Sequence, residues 1–285
     1  MEAAIWEWPI LIDLWAAGVA GGAYYAAFLV DRLTGRKHKL LMQIATWVGV
    51  PLALLGVLLL VLDLGNPLWF WHLTAELSPP FLVFHPLSPM SMGTWILVLW
   101  SVSGAGLLIL WLAESRVPGF VLLGRLVPLT EILLWVSFVF SPLLIAYTGV
   151  LLSNTNVFAW ATPFLPALFV TSAVFAGTAA IRFVSALLGK RVPRELSKAS
   201  LILVVLQVLA LIGFLVTVPA GVLISGSLAP WFWIGVVLVG LVVPFGLELW
   251  ILRGKGTTPL VLASTLCVLL GGFILRATVV IGGQM

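Results

Sequence analysis

Cysteine, histidine and charge are all scarce in this chain of 285 residues. The single cysteine, Cys267, lies in an apolar run, so the chain can close no internal disulfide and cannot supply the thiolate set of an iron–sulfur cluster. Of the three histidines, His38 falls in a basic connection and His72 and His85 in a long outer one. None sits in a hydrophobic run. A haem held between helices needs axial ligands facing each other within them, so a b-type cytochrome is excluded, and no haem, cluster or metal is expected in this chain. Charged residues make up only 8% of the sequence against 62% hydrophobic ones, and the mean hydropathy is +1.22. That balance excludes an ordinary soluble domain.

What is present is a series of apolar windows about 20 residues long, the length that crosses ~30 Å of hydrocarbon. They fall at roughly 9–31, 44–64, 92–113, 127–153, 164–188, 200–224, 231–252 and 258–282. The expected fold is an all-α integral membrane protein of eight transmembrane helices, one domain over 1–285. The opening "MEAAIWEW" lacks a basic region and runs into a full-length span, so the first helix is expected to be retained. A faint internal similarity aligns "WPILIDLWAAGVAGGA" with "TPFLPALFVTSAVFAG", Pro9 with Pro163 and Asp13 with Ala167. It points to two four-helix halves, 1–156 with the functional site and 157–285 without it.

Lysine and arginine are absent from every second connection. Arg32, Arg36, Lys37, Lys39, Arg116, Arg125, Lys190, Arg191, Arg194, Lys198, Arg253 and Lys255 all fall in the first, third, fifth and seventh. By the positive-inside rule these lie inside, which places both termini outside, in a multi-pass protein of the cell (inner) membrane. The net charge of +4 thus reflects topology and gives no reason to expect nucleic acid as a partner. Tryptophan gathers at the other side, at Trp6, Trp8, Trp69, Trp71, Trp95, Trp160, Trp231 and Trp233. The longest connection, 65–91, is also there and is too apolar and proline-rich for a free linker. Besides lipid, a partner protein is expected on that face.

Charges within spans are costly and mark sites or structural pairs. Asp13, in "PILIDLWAAGVAGGAYYAAFLV", lies about 6–7 Å inside the first span, with Tyr147 and Arg276 each about 9 Å inside theirs. Asp13 and Tyr147 are the candidate chemical pair. Arg276 is expected to be structural, bonded to a carboxylate such as Asp63 or to carbonyls. Glu131, Arg182 and Glu248 sit near the opposite boundary, as paired structural charges or as the start of a proton path through Glu131 and Glu248. Asp31 and Asp63 fall at span ends, where water is reachable.

The ordered blocks "GVAGGAYY", "LDLGNPLWFWH", "HPLSPMSMGTW", "AYTGVLLS" and "LRATVVIGGQ" spread over the whole chain. Together they resemble the NrfD or polysulfide-reductase membrane-subunit family. The resemblance implies a cofactor-free eight-helix subunit that exchanges electrons between the quinone pool, menaquinone or ubiquinone, and an iron–sulfur partner subunit on the outer face. That partner usually serves a molybdenum-containing catalytic subunit. It also implies a quinone ring held between the first span and Tyr147, with Asp13 standing where some relatives carry a histidine. His72 and Trp71 are expected to cap this pocket. Two readings compete with it: a proton- or ion-translocating transporter, and a purely structural membrane anchor. On the favoured reading the chain has no catalysis of its own when isolated.

Overall fold

A computed structural model describes residues 6–76, 81–190 and 193–285, so Arg191 of the basic set lies outside the described residues. Eight described helices are long and apolar enough to span a membrane. They are α1 (Trp8–Leu33), α2 (Lys39–Asp63), α3 (Pro89–Glu114), α4 (Thr130–Ser153), α5 (Phe164–Leu187), α6 (Arg194–Thr217), α7 (Trp231–Gly254) and α8 (Thr258–Gly283). Hydrocarbon offers the backbone no hydrogen bonds, so an apolar run of this length is stable only when it bonds within itself.

Helix ends follow local chemistry more closely than apolar windows do. α6 begins just after Pro193 and stops at Thr217, not at the expected 200 and 224, because Val218 precedes Pro219 and is extended at φ −124, ψ 160. A residue before proline is driven out of the helical region by the ring. α4 is preceded by a tighter 3₁₀ stretch, Val121–Leu129, which contains Pro128. α7 is wound as π-helix over Trp231–Val242 and as α-helix over Val243–Trp250.

α1 and α5 are the most buried of the eight and form the axis of the bundle. Small residues explain their proximity. A methyl on Gly22 would stand 2.0 Å from the Ala173 carbonyl oxygen, and one on Gly177 would stand 2.0 Å from the Ala23 nitrogen. The two backbones therefore touch reciprocally, the close approach that glycine permits between membrane helices. Around this axis lie two cores. One gathers Tyr24, Leu97, Trp100 and Leu144 from the first four helices, and the other Phe169, Phe214, Val236 and Leu275 from the last four. The first and last described segments meet at the tryptophan-rich end, where the Trp6 amide donates to Gln284 Oε1 at 2.8 Å. Trp160 Nε1 donates to the Val279 carbonyl at 3.0 Å in the same corner.

Candidate functional site

Pro9 opens α1 within its first turn, where a missing N–H costs nothing, and Asp13 follows one turn later. Its side chain is turned inward and is 2% exposed. The carboxylate lies against α2 at Gly56, where an added methyl would stand 2.3 Å from Asp13 Oδ1. Oδ1 has no hydrogen-bond partner among the described residues. A buried carboxyl oxygen without a donor is expensive.

Tyr147 of α4 lies in the last two turns of its helix, toward the same end of the bundle. Its ring rests on α3 at Gly93, where an added methyl would stand 2.5 Å from Cδ2. The phenol makes no hydrogen bond within the described residues, and the side chain is half-buried. Asp13 of α1 thus packs on α2 and Tyr147 of α4 on α3, each through a glycine. Gly56 and Gly93 carry no chemical signal in the sequence; only their neighbours reveal what their missing side chains allow.

His72 and Trp71 lie on the 3₁₀ stretch Pro67–Leu73 that follows α2. The His72 ring stacks on Trp69 at 4.6 Å and on Trp71 at 3.6 Å between centroids. Its Nδ1 is buried without a hydrogen-bond partner among the described residues. No hydrogen bond joins this aromatic platform to Asp13 or Tyr147 among the described residues, although both lie toward the tryptophan-rich end.

Arg276 of α8 is 1% exposed. It donates to Ser172 Oγ at 3.0 Å and to the carbonyls of Gly272 at 3.3 Å and Phe169 at 3.4 Å, and its guanidinium lies 5.2 Å from the Phe169 ring centroid. Carbonyls, not Asp63, hold it. Asp63 is exposed at the end of α2 and makes no ion pair among the described residues, because α1, which packs on both α2 and α8, stands between them. Asp31 also departs from expectation. It is 7% exposed and accepts from the His38 amide at 2.9 Å, holding the α1–α2 turn.

Glu248 and Glu131, the two acids considered for a proton path, are both paired. Glu248 and Arg182, each 1% exposed, form a two-pronged bridge at 2.6 and 2.9 Å. Ser200 Oγ accepts from Arg182 and Ser264 donates to Glu248, both at 2.8 Å. One network therefore ties α5, α6, α7 and α8, and such pairs typically cost about 3–5 kcal/mol to break from one side. Glu131 is more open, 42% exposed, and is held by Arg32 at 2.9 Å and Arg36 at 3.1 Å. Among the described residues no group of three His, Cys, Asp or Glu side chains is placed to hold a metal ion.

Comparison with known proteins adds a family context. The profile described as "Polysulphide reductase, NrfD" matches residues 1–285. The chain is 30% identical to "Protein NrfD" of Escherichia coli strain K12 over 100% of this chain and 96% of that protein. It is 29% identical to the C chain of the polysulfide reductase of Wolinella succinogenes, over 98% of this chain and 94% of that protein. The "Protein NrfD homolog" of Haemophilus influenzae is 26% identical over 99% of this chain and 95% of its own.

Proposed function

The chain belongs to the polysulphide reductase, NrfD family, and from that membership we propose that it is the quinone-reactive subunit of its complex, with the quinone head bound beside Asp13 and Tyr147. As a family member it is a multi-pass protein of the cell membrane and a membrane subunit of a respiratory oxidoreductase. The observation that carries the quinone reading is the Asp13 carboxyl, buried with Oδ1 unpaired among the described residues.

The residues fit such a group. An orphaned acceptor and a phenol without a hydrogen bond among the described residues support such a group, and Gly56 and Gly93 give those two side chains room. A quinone exchanges two electrons and two protons between its oxidised and reduced forms. Asp13 gives or takes a proton at one ring oxygen, the task of a positioned general acid or base. Tyr147 packs its ring on the head and offers its hydroxyl as a donor. The apolar first-half core, Leu97, Trp100 and Leu144 among it, keeps bulk water away.

Electrons must be exchanged with another subunit, because a single cysteine cannot hold a cluster. The likeness to one component of a polysulfide reductase supports association with other reductase subunits. An iron–sulfur subunit docked on the tryptophan-rich end, over residues 66–76 and 81–88, would meet the quinone by the shortest route, with a molybdenum-containing subunit behind it. The basic connections then face inside.

The test is Asp13→Asn in the assembled complex. Quinol-linked turnover is expected to fall at least about tenfold, or roughly 1.4 kcal/mol, with subunit composition unchanged. An intact mutant complex with undiminished quinol-linked turnover would remove Asp13 from the chemistry.

A further inference from the structure

At the basic end, away from Asp13, the last turns of α5 and α7 and the first turns of α6 and α8 enclose an open cleft of about 410 Å³. Two cations line it without a carboxylate partner among the described residues, Lys190 and Arg194. Arg182 lies at its base, its charge already matched by Glu248. The N-terminus of α8 opens into the same space through Thr257, Thr258 and Val261. Thr257 makes no side-chain cap, Pro259 has no N–H, and the amides of Thr258 and Leu260 have no acceptor within the helix. The positive end of a 26-residue helix therefore faces the two cations. Ser197, 5% exposed, also lines the cleft, and its hydroxyl has no hydrogen-bond partner among the described residues.

The two cations, the Ser197 hydroxyl and the α8 amides favour an anion with several oxygen acceptors, which is the chemistry of a phosphate ester, while Arg194 Nη2 also donates to the Leu252 carbonyl at 3.4 Å. A second feature distinguishes a lipid from a free ion. On the same seam between α6 and α7, beginning one turn beyond Ser197, an entirely apolar groove of about 300 Å³ is lined by Leu201, Ile202, Val205, Leu206 and Phe245. From Ser197 to Leu206 it descends roughly 13 Å toward the membrane interior. Four of its walls are open to the surroundings, from Ile202 at 61% to Phe245 at 39%.

We propose that this cleft and groove form a binding site for one anionic phospholipid, its phosphodiester held by Lys190, Arg194, Ser197 and the α8 N-terminus and an acyl chain lying against Val205 and Phe245. Basic pockets between membrane helices take phosphate head groups of this kind. The bound lipid would fasten α6 to α7 and α8 beside the Arg182–Glu248 network, independently of any quinone chemistry.

Native mass spectrometry of the full chain in its purified complex, exchanged into neutral detergent, tests this. The titrants are phosphatidylglycerol, phosphatidylcholine with the same acyl groups, and inorganic phosphate. Phosphatidylglycerol is expected to bind at least tenfold more tightly than phosphatidylcholine. Lys190→Gln with Arg194→Gln should remove most of that preference, and Val205→Trp should weaken both lipids. Lys37→Gln with Arg125→Gln removes the same charge from other connections and should change nothing. Equal binding of the two lipids would overturn the proposal. So would an equal loss in the Lys37 and Arg125 variant, which would mean a diffuse surface potential. Displacement of phosphatidylglycerol by inorganic phosphate alone, with Val205→Trp without effect, would make this a free-anion site and overturn the lipid assignment.

Discussion

The ring and the hydroxyl of Tyr147 have separable duties. Gly93 seats the ring on α3, while the hydroxyl bonds to nothing among the described residues. Tyr147→Phe should therefore leave assembly and thermal stability as they are. Losing one hydrogen bond to a bound quinone, about 0.5–1.5 kcal/mol, should raise the apparent KM for quinol about two- to tenfold. Steady-state kinetics beside a melting curve check this: a variant that melts earlier with an unchanged KM would make the hydroxyl structural. Asp13 and Arg276 were legible from sequence as charges in spans, and carbonyls were one expected partner of Arg276, but which residues surround them was not legible. One is orphaned against Gly56, and the other is held by Ser172 and two carbonyls. Spacing along one helix cannot reveal what a different helix presents.

Among elements, α1 carries the most consequence, since the same helix holds Asp13 on one face and packs on α5 with another. Its contact with α5 is backbone on backbone at Gly22 and Gly177. Gly177→Ala would place a methyl 2.0 Å from the Ala23 nitrogen and 2.2 Å from the Gly22 carbonyl carbon, atoms that cannot rotate aside. Overpacking of this kind costs about 1–3 kcal/mol, so the variant should melt several degrees lower in detergent. Gly246→Ala on α7, which meets nothing within 4 Å, should melt no lower than the parent. Equal melting of the two variants would mean that α1 and α5 can part without loss. The eight spans themselves could be read from apolar length alone, because the bilayer fixes that length. The π winding of α7 could not, since a uniformly apolar window gives no periodicity from which to infer a winding. The early start of α6 lay outside the apolar window, in the polar turn after Pro193.

For the whole molecule, the arrangement of polar groups bears on energy coupling. On the proposed reading, quinone head and redox partner meet at the tryptophan-rich end, so proton exchange with water on that side moves no charge across the membrane. A coupled reaction would need a proton route from the basic end to Asp13. Glu248 is a poor origin, locked to Arg182 and Ser264. Glu131 is more accessible, and above it a run of buried hydroxyls begins: Ser137 donates to Ser103 at 2.8 Å, and Trp100 Nε1 donates to Ser141 Oγ at 2.9 Å. The run then stops. Ser103 and Ser141 spend their protons on the carbonyls of Trp100 and Ser137, and the fully buried Leu144 and Ile145 fill the next turn toward Tyr147. Among the described residues of α4 that interval, about 9 Å from residue 141 to 147, holds no hydroxyl or ionisable side chain, so turnover is expected to be electroneutral. Proteoliposomes containing the complete complex, turned over with a water-soluble quinol analogue in the presence of a potential-sensitive dye, should show no uncoupler-sensitive signal. A potential that appears with the parent and vanishes in Glu131→Gln, while quinol oxidation continues, would establish a route through the serine run and reverse this conclusion.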